Sequence, residues 1–417
     1  MARVGSALGE AQHVLNACSD RYHFTVGLAA AVTLGRVSLL PPTHTAQVTR
    51  QLRAFAPDAI CLTDTPALET QLPQVAYPCA CDVARQDSPV AQIEPGRLTA
   101  YVFTSGSTGT PVPYRKSWGP LVSSVQESNR RLGLADGRQW SIVATVPPQH
   151  QYGLEASVLM PLVGGHALCG ERPFYPADIA ATLGTLPRPR ALISTPVHLR
   201  ALVGSDIALP ATDLIVSATA PLTRQLASEV EHRYDTRVME IYGSTETGQI
   251  AARRPAREAQ WRLWPGIRLS RHGEETWAEG GHVEQPTRLC DVLELTGTGR
   301  FLLHGRLSDL VNIAGKRNSL AYLNHQLISI PGVLDGAFFH CDESRATHTH
   351  VSRVAACVVA PTLDPEQLLR ELRERIDAAF LPRPLLFVAR LPRNATGKLT
   401  QQALQALAAA HLKNDVA

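Results

Sequence analysis

Four short segments of this chain hold residues whose types and spacing could act on a phosphorylated ligand. Thr104-Ser105-Gly106-Ser107-Thr108-Gly109-Thr110-Pro111 sets two glycines among hydroxyl side chains, directly after the apolar run Leu98 to Phe103. A loop of that kind after a strand can wrap backbone N–H groups and hydroxyls around the oxygens of a polyphosphate. It lacks the Gly-Lys-Ser/Thr ending of the purine-nucleotide loop and the three glycines of the dinucleotide fingerprint. Ser107 has Gly109 two residues after it but Ser105 two residues before, so it lacks the pair of flanking glycines that a hydrolase elbow needs. Tyr242-Gly243-Ser244-Thr245-Glu246 follows the apolar run Val238 to Ile241. A tyrosine face can pack on a planar base, a threonine hydroxyl can bind a phosphate oxygen, and a glutamate is a hard ligand for Mg²⁺. Asp291, followed by Gly305-Arg306 and Gly315-Lys316-Arg317, offers a carboxylate for two vicinal hydroxyls with positive charge nearby. Lys398 closes Leu391-Pro392-Arg393-Asn394-Ala395-Thr396-Gly397-Lys398, a cation on a glycine turn that a moving segment could bring to developing negative charge. Taken singly, each segment also reads as a polar loop, a packed tyrosine or a solvated charge.

The elements that must position these residues follow from the hydrophobic pattern. Phe24 to Pro42 reads as helix, then the strand Val37 to Leu40, then a turn. Gln47 to Phe55 has helical spacing, and short buried strands are expected at Ala59 to Leu62, Ser141 to Val146, Ala191 to Ser194 and Asp213 to Ser217. Strands separated by helical stretches predict a parallel sheet covered by helices. From Arg262 to Leu303 glycine, proline and short β-type runs predict a small β-rich subdomain, with Phe301 to Leu303 as one strand. Leu368, Leu369, Leu372 and Ile376 recur at helical spacing within Asp364 to Phe380, and Ala403 to Ala410 predicts a terminal helix. The expected fold class is therefore α/β: a large N-terminal domain of helix-covered sheets with a small β-rich subdomain, over 1–307, and a small mobile α+β C-terminal lid over 308–417.

At 417 residues, and roughly 150 per domain, two or three domains are expected. Lys+Arg number 40 against 37 Asp+Glu, a net charge of +3, which argues against nucleic acid as the partner. The apolar stretch Phe24 to Gly35 ends at Arg36, short of the roughly 20 residues of a membrane span. No membrane insertion and a cytoplasmic location are expected. Eight scattered cysteines include no pair separated by two intervening residues, the spacing of zinc and redox motifs, so free thiols are expected.

In order and spacing, these segments together with Ala220-Pro221-Leu222 resemble the adenylate-forming superfamily of acyl- and aryl-CoA synthetases, luciferases and adenylation domains. The resemblance runs from about residue 24 onward. It implies a ligase that activates a small carboxylic acid, aryl or medium-chain acyl, with ATP as acyl-AMP, releases pyrophosphate, and transfers the acyl group to the thiol of CoA or of a carrier protein's phosphopantetheine. It implies that Thr104, Ser105, Gly106, Ser107, Thr108 and Gly109 hold the β- and γ-phosphates, and that Thr245 and Glu246 serve the α-phosphate and Mg²⁺. Tyr242 and the Thr219-Ala220-Pro221 backbone would sandwich the adenine, Gly243 and Ser244 would belong to the same nucleotide site, and Asp291 and Arg306 would hold the ribose. Lys398 would bridge carboxylate and α-phosphate. His150, Tyr152, Gly153 and Ala218 would line the acid pocket, Ser308 would be the hinge, and Arg317 would lie near the thiol tunnel.

Three departures stand out against that pattern. Val112 follows Pro111 where the family often has lysine, so that phosphate contact is missing unless Lys116 replaces it. Ala218-Thr219 stands where two glycines are common, and the phosphate loop begins early in the chain. Shortened members of this kind resemble ligases of bacterial aryl polyene pathways, with an acyl carrier protein as acceptor. A monomer or homodimer is expected. The competing reading is a non-catalytic relative of the same fold that binds nucleotide or acyl group.

Overall fold

The computed structural model describes residues 1–65, 68–78, 91–105, 111–273, 275–306, 310–313, 316–341, 353–393 and 399–414. The chain forms two compact units. One is Met1–Ser270 with Ala278–Thr287, the other Arg271–Trp277 with Arg288–Ala417.

The first unit holds two sheets. Strands β1 (His13–Asn16), β2 (Val37–Leu40), β3 (Ile60–Thr63), β4 (Gln74–Ala76), β5 (Leu98–Ser105) and β6 (Pro111–Ser117) lie in the order β4-β3-β1-β2-β5-β6. All neighbours are parallel except β5 and β6, which pair antiparallel with Thr104 opposite Val112 and Ser105 opposite Pro111. β6 is the sheet's edge, which is why it tolerates Pro111 and Pro113. The helix Arg21–Thr33 connects β1 to β2; Asp20 caps it by accepting the His23 N–H.

The second sheet draws on β7 (Ser141–Ala144), β8 (Ala167–Leu168), β9 (Arg190–Ser194), β10 (Leu214–Ser217), β11 (Arg237–Ser244), β12 (Gly248–Arg253) and β13 (Trp261–Leu263). Within the unit the order is β13-β12-β11-β10-β9-β7-β8. β7 to β11 are parallel, and β12 returns antiparallel along β11. Every residue of β7 and β10 is buried, as expected of strands covered on both faces. One core joins Val14, Leu28, Val102, Val125, Ile142, Ile193 and Val216; another packs Ile179, Leu199 and Val230 on the opposite side. The expected α/β architecture is thus present. In such a sheet, ligand loops leave the carboxyl ends of the parallel strands, here residues 145–153, 195–198, 218–222 and 245–247.

Three further strands follow in sequence, β14 (Ile267–His272), β15 (Glu275–Gly280) and β16 (Val283–Leu289). The second unit contains the hairpins β17 (Asp291–Gly297) with β18 (Arg300–Arg306) and β19 (Leu310–Ile313) with β20 (Lys316–Ser319). It also holds a sheet in the order β21-β22-β23 (Asp335–Cys341, Arg353–Val359, Leu385–Phe387). Helices Leu320–Ile328, Pro365–Arg375 and Gln401–Asn414 complete it, with Leu323, Leu327, Phe338, Val354, Leu368 and Leu372 in its core. The expected single helix Asp364 to Phe380 is corrected. It is Pro365–Arg375, capped by Asp364, and Ile376 is already extended at φ −130°. Asp377 then accepts the Ala379 N–H and starts a separate 3₁₀ turn, Ala378–Phe380. Ile376 keeps the apolar spacing of the helix while leaving it, so periodicity alone overran the end.

Candidate active site

Strand register brings two of the predicted segments together. Ser217, the last residue of β10, lies opposite Glu240 of β11. Two residues beyond each come Thr219 and Tyr242, so the 218–222 loop leaves β10 alongside the tyrosine. Ala218 is buried, Thr219 and Ala220 are half-buried and Pro221 is exposed. Thr219 has φ +77°, a left-handed conformation that a β-branched residue rarely adopts. Tyr242 is nearly buried, with its ring centroid 5.6 Å from that of Trp261. Tyr242 belongs to β11 itself, which runs on to Ser244.

The turn between β11 and β12 carries Thr245 and Glu246. Thr247, which the sequence reading passed over, pins it from inside. Its hydroxyl accepts the Ser244 N–H at 3.2 Å and donates to the Gly248 carbonyl at 2.9 Å, and its N–H donates to Ser244 Oγ at 3.2 Å. Gly243 is required here, because a Cβ would lie 2.1 Å from the Gly248 carbonyl oxygen. Gly248 adopts φ +71° with the Glu155 carboxylate against it. Thr245 is half-buried and Glu246 exposed. Among the described residues the Glu246 carboxylate accepts no hydrogen bond, so its oxygens are available to a cation, and the donor type suits Mg²⁺. No cluster of three or more candidate metal ligands occurs among the described residues.

Behind the turn lies a buried polar network. Lys116 is 6% exposed, and its Nζ donates to the Glu246 carbonyl oxygen at 3.3 Å. Burial lowers its pKa, and the carboxylates of Glu155, Glu284 and Glu246 oppose that shift. Glu155, on a π-helical stretch Leu154–Leu159, accepts from Ser124 Oγ at 2.7 Å. Burial pushes its carboxyl up. Such π-helical turns often occur at functional sites. Ser117 binds Glu284 through its N–H at 3.1 Å and its hydroxyl at 2.7 Å.

The expected acid-pocket residues begin a helix at Gln151, with His150 at its N-cap position in extended conformation. The Tyr152 hydroxyl donates to the Val216 carbonyl at 3.0 Å, and burial pushes the phenol well above its usual pKa. Gly153 has no room for a side chain: a Cβ would lie 1.8 Å from the Pro147 carbonyl oxygen. Arg21, 1% exposed, fixes the preceding segment by donating to the carbonyls of Ala144 at 3.0 Å and Val146 at 2.9 Å, and to Ser157 Oγ.

In the second unit, the backbone positions of Asp291 and Arg306 are register partners in the β17–β18 pair, and those of Arg317 and Asn312 in β19–β20. Thr104 is half-buried near the end of β5 and Ser105 ends the strand. Gly106, Ser107, Thr108, Gly109, Ser308 and Lys398 lie outside the described residues.

Residues 2–273 match the family model of the AMP-binding enzymes. A 4-coumarate–CoA ligase of Rhodobacter capsulatus is 31% identical over 71% of this chain and 73% of its own. A second 4-coumarate–CoA ligase, from Halorhodospira halophila, is 30% identical over 71% and 73%. Among solved structures, ATP-bound MatB from Rhodopseudomonas palustris superposes with a TM-score of 0.81 over 97% of this chain and 92% of that one, at 19% identity. O-succinylbenzoate CoA synthetase from Bacillus subtilis in complex with AMP gives 0.79 over 97% and 91%, also at 19% identity. The chain belongs to the AMP-binding enzymes of the adenylate-forming superfamily and is an AMP-forming acid–thiol ligase.

Proposed function

We propose that this ligase activates an aryl carboxylic acid and delivers it to the thiol of CoA, or to the chemically identical phosphopantetheine arm of an acyl carrier protein, as in an aryl polyene pathway. The observation that carries the site assignment is the juxtaposition of the 218–222 loop with Tyr242 and the pinned turn presenting Thr245 and Glu246. The aryl acid is favoured by the 4-coumarate–CoA ligases that this chain is similar to.

In this reading a carboxylate oxygen attacks the α-phosphorus of ATP, the bond to the bridging oxygen breaks, and pyrophosphate leaves. A thiolate then attacks the acyl carbonyl, and AMP leaves. Two anions must meet in the first step, so orientation and fixed positive charge supply most of the catalysis. Glu246 would hold Mg²⁺, which neutralises phosphate charge when bound. Thr245 would donate to the α-phosphate, and Thr104 to Gly109 would hold the β- and γ-phosphates. Asp291 and Arg306 would bind the ribose, Lys398 would bridge the two reacting anions, and His150, Tyr152, Gly153 and Ala218 would bound the acid. The segment after 307 would act as the lid, turning at Ser308, with Arg317 near the thiol.

Mass spectrometry of reactions with 4-coumarate, benzoate or octanoate, plus ATP and either CoA or a holo carrier protein, tests this reading. An aryl thioester together with AMP is expected. A product formed only from octanoate would overturn the aryl assignment, and acylation of CoA alone would remove the carrier protein.

A further inference from the structure

Glu240 and Arg253 occupy directly opposed positions on β11 and β12. Glu240 is 2% exposed, and a carboxylate is removed from water only at considerable cost unless it is fully paired. Here it is. One oxygen accepts the Leu222 N–H at 2.7 Å and the other accepts Nε of Arg253 at 2.7 Å. The guanidinium also donates to the Leu222 carbonyl at 3.4 Å and to the Ala259 carbonyl at 3.0 Å. Both backbone groups of Leu222, the residue that ends the 218–222 loop, are thus held by one ion pair.

The same guanidinium lies over the Trp261 ring, 4.5 Å from its centroid, and that ring packs against Tyr242. Glu240 and Tyr242 are two residues apart on one strand and therefore share a face. A planar, forked cation can meet a carboxylate, two carbonyls and an aromatic face together; a lysine could not.

We propose that Glu240 and Arg253 are positioning residues that set the spacing between the 219–221 backbone and the Tyr242 ring, and so the width of the slot for the nucleotide base. This rests on the reading above that those two walls enclose the adenine. The pair acts on the base end of the ligand and not on its phosphate end.

The test is calorimetric binding of ATP, AMP and inorganic tripolyphosphate to the full chain and to the variants Arg253→Lys, Glu240→Gln and Trp261→Leu. Each variant that stays folded by circular dichroism is expected to bind ATP and AMP about tenfold more weakly while tripolyphosphate affinity stays the same. Combining Glu240→Gln with Arg253→Lys is expected to cost less than the two single effects together, because both break one unit. Unchanged AMP affinity in Arg253→Lys would overturn the proposal. So would parallel weakening of AMP and tripolyphosphate, which would mark general loosening of the fold. A wild-type chain that binds neither ATP nor AMP would instead overturn the nucleotide reading itself, and the slot with it.

Discussion

The ammonium of Lys116 donates to the backbone carbonyl of Glu246 at 3.3 Å, tying the edge strand β6 to the turn that carries Thr245 and Glu246. The cation that follows Pro111 at a distance thus holds the backbone of the turn, while the Glu246 side chain stays exposed. Replacing Lys116 by methionine would leave the buried Glu155 without its strongest opposing charge. Lys116→Met is expected to lose about 2 kcal/mol of stability in urea unfolding, because the Glu246 carbonyl loses its charged donor. Adding Glu155→Gln should recover part of that loss. An unchanged urea midpoint in Lys116→Met would show that this buried cation contributes nothing to stability.

Gly153 sits where a Cβ would fall 1.8 Å from the Pro147 carbonyl oxygen. Backbone cannot yield there as a flexible side chain could. Gly153→Ala is expected to destabilise the chain by about 3 kcal/mol or more and to abolish acid activation, since the helix start would separate from the 147–150 segment. Thermal unfolding and pyrophosphate exchange would show it. A variant with wild-type midpoint and wild-type exchange would mean that the segment can shift freely.

Tyr152 has its hydroxyl committed to the Val216 carbonyl, so the ring face and not the hydroxyl is what it can offer an acid. Tyr152→Phe is expected to cost about 1 kcal/mol through the lost hydrogen bond. The ranking of acids in an exchange assay should stay as it is. A reversal in favour of acids without a hydroxyl group would show that the tyrosine hydroxyl reads the substrate.

His198 couples stability to pH. Its Nδ1 lies 3.0 Å from Thr195 Oγ1 and 3.3 Å from Thr145 Oγ1, and burial, with Arg172 second, lowers its pKa to about 4. The folded imidazole therefore stays neutral where the unfolded one, near 6.5, takes up a proton. Stability is expected to fall as pH drops from 6.5 toward 4, by up to roughly 3 kcal/mol from this group. His198→Asn should have a flatter urea-midpoint profile over that window, and identical profiles would remove His198 as the cause.

The parallel sheet was legible because its strands, such as Val37 to Leu40 and Leu214 to Ser217, are short apolar runs between helical stretches. The site segments were legible for a different reason: Tyr242 to Glu246 and Thr104 to Pro111 combine residue types that packing alone does not demand. Glu240 and Arg253 were not legible, since thirteen positions apart they look like any two surface charges, and only the β11–β12 register makes them a buried pair. Thr247 was hidden likewise, because its role depends on the tight return of the chain at Gly248. The end of the helix at Arg375 was lost to the apolar Ile376 that follows it.

The most direct measurement is acid-dependent exchange of labelled pyrophosphate into ATP, with wild type, Glu246→Gln and Lys398→Ala compared across aryl and alkyl acids. Exchange with an aryl acid is expected in the wild-type chain, with a raised Mg²⁺ requirement in Glu246→Gln and loss of exchange in Lys398→Ala. Full exchange in Lys398→Ala, or none in the wild-type chain with any acid although ATP binds, would contradict the proposed function.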